Sequence, residues 1–296
     1  MFTVFLQFLF SGLTTGAVYA LVGIGFNIVY NSTSIINLAQ GEFVVIGGLM
    51  MWLFLEGLKL SFMTSIILTL AIAGSIGLIM ERLTIRPLLK KADLLLMIMV
   101  TIAVSILMRG ILMFKFGKEP YSYPPFTEGE PIIVYGAVIQ QQTLWVIFIT
   151  GLCIVLLYLF FNKTLLGKAM RACSVDPRAA RLMGINVSRI VMLSFVISAV
   201  IGAVGGIAIT PISLMEYDKG PMLAVKGFCA SIMGGLGRGR GAVIGGFVLG
   251  ILESLTAGYI HSGMKDAVAL IIMLFILFVR PAGLFGSAEV ARLRRF

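Results

Sequence analysis

The sequence predicts an all-α integral membrane protein, a polytopic bundle of eight or nine transmembrane helices, from three observations. Of the 296 residues, 59% are hydrophobic and only 12% are charged, whereas a soluble domain is about 25% charged. The mean hydropathy is +1.05. Stretches such as 1–41, 131–162 and 190–215 carry no charge at all, and a helix needs about 20 apolar residues to cross the hydrocarbon core.

The predicted spans follow one another along the chain. The first, near 3–30, is expected to be retained, because it lacks the basic start of a cleavable signal and is too long for one. Further spans are placed near 34–55, 60–80, 93–116, 143–161, 190–214, 242–260 and 265–280. The segment 222–237 is shorter and interrupted by Lys226, so it is interpreted either as a further crossing or as a re-entrant half-helix lining an internal cavity. We expect the whole chain, 1–296, to form a single transmembrane domain.

The basic residues between the spans predict the orientation, because lysine and arginine prefer the cytoplasmic side of the membrane. They fall in four clusters, at 82–91, 162–189, 238–240 and 280–295. With nine spans, all four clusters lie on the same side and the N-terminus lies outside. The net charge of +10 therefore reports topology, and its spread over several loops gives little support to nucleic-acid binding.

The polar segment 162–189 is predicted to be a cytoplasmic loop that contains a short helix. Asp176 is an N-cap residue, Pro177 occupies the first helical position, and Gly184 follows the end. Five of the six residues between Pro177 and Gly184 are those that a docking partner would contact: Arg178, Ala179, Ala180, Leu182 and Met183. The alternative is an amphipathic loop helix that its arginines anchor at the lipid headgroups.

Catalytic and metal chemistry find little support in the sequence. The single histidine, His261, lies in an outer loop, so neither a metal site nor a Ser-His-Asp arrangement is expected. The glycine cluster at 234–241 lacks the lysine-hydroxyl pair of a phosphate-binding loop, which predicts that the chain does not bind ATP by itself. The cysteines at 153, 173 and 229 are expected to be packing residues.

Ionisable residues inside the predicted spans are costly and call for partners. Glu42 follows Asn37, Gln40 and a glycine, which indicates a bend lining a polar cavity, although a capping or structural pairing role is equally open. Glu253 lies in a glycine-rich helix and is expected to pair structurally with another helix. Lys226 and Arg109 either join such pairs or extend their charges to an interface.

Seven motifs are spread over nearly the whole chain. They are Gly16 to Asn27 and Ile36 to Phe43, the cytoplasmic segments 167–172 and 179–186, and the segments 233–237, 241–246 and 279–286. In these motifs and in their order, the chain resembles the permease subunits of branched-chain amino acid ABC importers. Gln40 stands where the family pattern has histidine, which leaves the exact substrate open.

The resemblance implies a transport subunit, not an enzyme, that works in the cytoplasmic membrane of a bacterium or archaeon. Two permease chains would form the pore, here a homodimer or a heterodimer with a second homologous permease. Two ATP-binding subunits, which use the ATP and magnesium, would dock on the inner face, and an external solute-binding protein would deliver the substrate. No cofactor is expected in this chain.

The resemblance also assigns roles to residues. The helix from Asp176 to Gly184 would be the coupling helix. The outer loop 117–142 is a candidate surface for the solute-binding protein, and it could equally be a passive lid. A branched-chain amino acid would pass as a zwitterion, with its ammonium near Glu42 or near the amides of Asn27, Asn37 and Gln40. The alternative is that the solute-binding protein alone selects the solute and that the pore has no tight site.

Other transport functions stay open. A permease for urea, an amide or a sugar in the same importer class would share the architecture. A secondary transporter or channel would move solute without partner subunits, and a membrane enzyme would need a catalytic cluster that the sequence does not show.

Overall fold

The computed structural model describes residues 2–88, 93–280 and 283–285. It confirms the polytopic helical bundle. The long helices are α1 (Phe2–Thr33), α2 (Gln40–Trp52), α3 (Phe62–Met80), α5 (Leu94–Phe116), α6 (Gln141–Lys163), α9 (Val187–Ile209), α10 (Gly220–Gly234), α11 (Gly239–Tyr259) and α12 (Lys265–Val279). Three shorter helices, α4 (Arg86–Leu88), α7 (Leu165–Val175) and α8 (Pro177–Leu182), lie between the spans.

Seven helical segments within the described residues have the length and hydropathy of a membrane crossing. The other two predicted spans are not among these seven: α10 has 15 residues, and α2 has 13 before a π-helical turn continues it. The segment 222–237 is thus a half-helix, one of the two alternatives. The prediction of a full crossing at 34–55 is wrong, because this segment is also a half-helix. Its helix begins at Gln40, after a non-helical stretch that follows Ser34, whose φ is 57°. Single π-helical turns extend α2 to Gly57 and α3 to Ile85.

Helix α1 is the centre of the bundle. It is apolar on all sides and buried from Gly16 to Val29, as expected of a helix surrounded by protein. Its largest contact is with α11, where glycines remove the side chains that would separate the two backbones. A Cβ on Gly16 would lie 2.9 Å from the carbonyl oxygen of Gly246, and one on Gly12 would lie 2.6 Å from the Cα of Ile251.

The four basic clusters lie at one end of the bundle, as far as the structure describes them. Arg86 donates a 2.6 Å hydrogen bond to Ser188, and Asn31 donates one of 3.0 Å to the carbonyl oxygen of Gly237. Leu284, which follows α12, donates its backbone amide to Met233. Arg171 and Arg240 line one cavity, and Arg238 donates to the carbonyl oxygen of Phe285, so all four clusters are connected at this end. The positive-inside rule predicts that this end is cytoplasmic. We call it the inner end.

The outer segment 117–142 carries a small hairpin of β1 (Ile132–Val134) and β2 (Ala137–Ile139), paired antiparallel with Val134 opposite Ala137. Tyr135 and Gly136 both have positive φ, at 49° and 82°, as a two-residue hairpin turn requires. Gln7 of α1 donates its side-chain amide to Val138 at 2.9 Å. The hairpin thereby packs against the outer end of the central helix.

Candidate functional site

The two half-helices meet at their N-termini. A Cβ on Gly41 of α2 would collide with the carbonyl oxygen of Gly220, and a Cβ on Gly220 of α10 would collide with the carboxylate of Glu42. Both positions are glycine because the backbones touch there. Helix α2 runs from this contact to the outer end and α10 runs to the inner end, so two positive helix-dipole ends converge on one carboxylate.

The meeting point lies halfway through the bundle. Ser105, in the middle of the 23-residue helix α5, donates a 2.7 Å hydrogen bond to Glu42 Oε1. Ser198, in the middle of the 23-residue helix α9, is hydrogen-bonded to Gln40. Residues at the midpoints of two crossing helices mark the level of the bilayer centre. Half-helices whose N-termini meet there are typical of solute and ion sites in transporters.

Glu42 is fully buried, and its second carboxylate oxygen, Oε2, has no hydrogen-bond partner. The charge of Arg109, one turn beyond Ser105 on α5, acts on this carboxylate, although no ion pair joins them in the described part of the chain. The two helix N-termini therefore provide the nearest compensation for its charge. A buried carboxylate with a free oxygen is a natural acceptor for a cationic group.

Gln40 is engaged with α9 through both ends of its amide. Its Nε2 donates to the carbonyl oxygen of Ser198 at 3.0 Å, and its Oε1 lies 2.6 Å from the Ser198 hydroxyl. That hydroxyl shares its single proton between Gln40 and the carbonyl oxygen of Gly25, 2.9 Å away. Gln40 thus joins α1, α2 and α9 at the level of the site.

The two asparagines predicted beside the site lie at different places. Asn37 is buried, and its Oδ1 accepts from the amide of Ala39 while its Nδ2 has no partner. Asn27 binds the turn before α11, accepting from the amide of Gly237 at 2.8 Å and donating to the carbonyl oxygen of Arg238 at 3.3 Å. The structure therefore places Asn37, Gln40 and Glu42 together at the start of α2, whereas Asn27 lies towards the inner end.

A second buried polar cluster lies between α1, α10, α11 and α12, and we call it the lysine cluster. Lys226 Nζ lies 2.6 Å from a carboxylate oxygen of Glu253 and 2.6 Å from one of Asp266. Tyr19 donates a 2.8 Å hydrogen bond to the other oxygen of Glu253. The predicted structural pairing of Glu253 is confirmed. Asp266 and Tyr19 were not predicted, but opposite charges on two neighbouring spans, at 226 and 266, were a signal for the pair.

The short helix predicted in 162–189 is confirmed as α8. The carboxylate of Asp176 accepts from the amides of Arg178 and Ala179 at 2.7 and 3.1 Å. Gly184 follows the C-terminal end with a φ of 83°, the left-handed conformation that ends many helices. Pro177, Arg178, Ala179 and the terminal Gly184 are exposed.

The surface of α8 is apolar at its tip. Leu182 and Met183 are 89% and 83% exposed, whereas Ala180 is buried against the bundle. Backbone amides of Met183 and Ile185 bond to the carbonyl oxygens of Ala179 and Ala180, which fixes the end of the helix. A rigid, capped helix with two exposed large apolar side chains is a surface suited to a protein partner.

The chain is similar to known permeases along nearly its whole length. Residues 8–277 match the family model described as the permease component of a branched-chain amino acid transport system. The chain is 32% identical to the high-affinity branched-chain amino acid transport system permease protein LivH of Salmonella typhimurium, over 98% of each chain. It is 30% identical to BraD of Pseudomonas aeruginosa, described in the same words, over 97% of this chain and 98% of that one. A solved structure of PsaBC from Streptococcus pneumoniae in complex with Fab aligns with 92% of this chain and 91% of that one, at 16% identity and a TM-score of 0.47.

Proposed function

This chain belongs to the family of branched-chain amino acid transport permeases, and from that premise we propose that it is the membrane-spanning subunit of an importer for leucine, isoleucine and valine. The observation that carries the proposal is the similarity to LivH over 98% of both chains. It extends through the half-helices, the lysine cluster and α8 alike. The chain is a multi-pass membrane protein, and the proposed location is the cytoplasmic membrane of a bacterium or archaeon.

The proposed assembly contains two permease chains, two ATP-binding subunits and an external solute-binding protein. ATP and magnesium act in the ATP-binding subunits, and this chain holds no cofactor. The solute-binding protein docks at the outer end, where 117–142 forms the largest connection. A homologous second permease is the proposed partner in the pore.

We propose that α8 is the coupling helix. Its exposed tip, Leu182 and Met183, is the contact with an ATP-binding subunit. A displacement of α8 passes directly into α9, because only the short connection 183–186 separates them and Asn186 caps α9 through the amide of Arg189 at 3.2 Å. Helix α9 in turn holds the start of α2 through Ser198. This chain of contacts would carry the work of ATP hydrolysis to the middle of the membrane.

The solute site is proposed at the start of α2. Glu42 receives the ammonium of the amino acid on its free oxygen, with the amides of Asn37 and Gln40 beside it and Asn27 further along the path to the inner end. Glu42 is buried in this conformation, so opening the site requires α5 to move and to release the Ser105 hydrogen bond. Helix α5 suits such a movement, because it exposes many apolar side chains and makes little contact with the rest of the bundle.

Two experiments test these assignments in liposomes that contain the full importer. Leu182→Asp should reduce uptake at least tenfold and weaken retention of the ATP-binding subunits, because it places a charge in an apolar contact. Leu165→Asp is the matched control, since Leu165 is 84% exposed but lies at the start of α7. Normal assembly and uptake by the Leu182 variant would refute the assignment of α8.

For the solute site, Glu42→Gln keeps the shape of the side chain and removes its charge. Uptake should fall at least tenfold while subunit assembly and ATP hydrolysis continue, because the ammonium loses its counter-charge. Competition with ribose or urea in the same liposomes separates the proposed substrate from the alternatives in the importer class. Full leucine uptake by the Gln variant would exclude Glu42 from solute recognition.

A further inference from the structure

A cavity of about 560 Å³ opens near the inner end, between α1, α6, α7 and the start of α11. Along α1 its lining runs from Ile24 to Ser32, a distance of about 12 Å at the helical rise of 1.5 Å per residue. Most of the lining is apolar and includes Ile28, Ile154 and Val243, while Asn27, Asn31 and Ser32 of α1 contribute polar side chains. None of the described lining residues is acidic.

The mouth of the cavity carries two arginines. Arg171 of α7 donates to the carbonyl oxygen of Phe161 and, at 2.8 Å, to the side chain of Asn162. The guanidinium of Arg240, at the start of α11, lies over the ring of Tyr158 with 5.5 Å to its centroid. Each guanidinium has five N–H donors, so these contacts orient both groups and leave donors for an anion.

The cavity opens towards the membrane. Val155 and Tyr158 line it and are 54% and 50% exposed, on a face of α6 that also exposes Phe148, Leu152 and Leu159. A row of exposed aliphatic and aromatic side chains on a spanning helix is suited to contact with lipid. The cavity therefore joins the hydrocarbon region to the headgroup level of the inner leaflet, and its polar end lies where the phosphates are.

We propose that this cavity binds an anionic phospholipid of the inner leaflet, with the phosphate between Arg171 and Arg240 and part of one acyl chain along Ile28 and Ile154. Basic pockets between spanning helices on the cytoplasmic side are suited to anionic headgroups. An acyl chain would fill the apolar part of the cavity, whereas a free phosphate would contact only the two arginines. Bound lipid would connect α7 to α1 and α11, next to the helix pair that ends in α8.

The test measures lipid retention by native mass spectrometry of the purified chain, transferred from nanodiscs of equal parts phosphatidylglycerol and phosphatidylcholine. The wild-type protein should retain phosphatidylglycerol preferentially. The double variant Arg171→Gln, Arg240→Gln should lose this preference, each arginine contributing a factor of about five. Arg189→Gln, an exposed arginine of the same end outside the cavity, should behave as wild type.

A second pair of variants tests the acyl-chain part without touching the arginines. Val155→Trp places an indole ring in the cavity at the exposed face of α6. Leu152→Trp adds the same ring one turn away on α6, where it does not line the cavity. Only the Val155 variant should lose phosphatidylglycerol, and tryptophan at an exposed site should leave folding intact. Glycerol phosphate, the free headgroup, should not displace the lipid at millimolar concentration.

Three results would overturn the proposal. The first is equal retention of both lipids by the wild-type protein. The second is displacement by glycerol phosphate together with an inert Val155→Trp variant, which would show a site for a free anion. The third is unchanged lipid retention in the arginine variants. A loss of leucine uptake by the same variants in liposomes with the full importer would then place the cavity on the solute path through Asn27, which lines it.

Discussion

Replacement of Lys226 by methionine is expected to destabilise the protein strongly. Lys226 has a side-chain exposure of 8% and is the shared cation of Glu253, also 8% exposed, and Asp266, 39% exposed. Methionine fills a similar volume and removes the charge. The substitution therefore leaves two carboxylates without a counter-charge, one of them deep in the bundle.

The size of the effect follows from the exposure of the two carboxylates. Removing one partner of a buried ion pair costs about 3–5 kcal/mol. The lower end, about 3 kcal/mol, is expected here, because Glu253 keeps the hydroxyl of Tyr19 and Asp266 is partly exposed. Asp266→Asn alone should cost at most about 1 kcal/mol, since the carboxylate of Asp266 is partly exposed to solvent. The double variant Lys226→Met, Glu253→Gln should recover most of the loss, because the one carboxylate that it leaves without a cation, Asp266, is 39% exposed.

The assay is unfolding of the purified chain in mild detergent, by heat or by added sodium dodecyl sulfate, with each variant compared with the wild type. Lys219→Met is the matched control, because Lys219 is 34% exposed and lies 3.6 Å from Glu216. Its effect should stay within about 1 kcal/mol. The reasoning is wrong if Lys226→Met is as stable as Lys219→Met, or if adding Glu253→Gln restores nothing.

Three further predictions concern packing, capping and thiol accessibility. Gly250→Ala should cost about 1–3 kcal/mol or more, because the new Cβ would collide with the backbone of Gly16, whereas Gly151→Ala, with open space around it, should leave the melting temperature within a few degrees. Asp176→Ala should raise hydrogen exchange at the two capped amides about fivefold, since an N-cap contributes about 1 kcal/mol, and Asp176→Asn should not; equal exchange in both variants would contradict the cap. Burial raises the pKa of the Cys173 thiol, so its reactive thiolate is scarce at neutral pH and increases as the pH rises. In a variant that keeps only this cysteine, maleimide should label the folded protein at least tenfold more slowly than the unfolded chain. Equal rates would show that the thiol is accessible.

Much of the fold could be predicted because it depends on neighbours along the chain. A run of apolar residues long enough to cross the bilayer has few alternatives to a helix, since lipid offers no partners to a bare backbone. The cap of α8 is equally local: Asp176 bonds amides two and three residues ahead, and Gly184 ends the helix through its own conformation. Glu42 was singled out for a similar reason, because a carboxylate inside a span requires an explanation.

The site itself depended on contacts between distant segments. Gln40 was predicted to line the solute pathway because it is a polar residue inside a span. Its amide is instead hydrogen-bonded to Ser198, 158 positions away. Nothing near Gln40 in the sequence indicates this partner. Asp266 appears as an ordinary acid at the start of a helix until packing brings it to Lys226. Which polar side chains remain free is decided by partners that only the packed bundle supplies.

The sequence by itself thus determined the membrane class, the family motifs, the oriented basic clusters and the capped helix at the inner end. The tertiary structure decided that α2 and α10 are half-helices that meet at Glu42, that Gly41 and Gly220 allow this contact, and that a membrane-facing cavity lies behind α6. The physical reason is the distance along the chain over which each interaction acts. Hydropathy and capping act over a few residues, whereas the pairing of buried charges and the contact of two helix ends depend on the packing of the whole bundle.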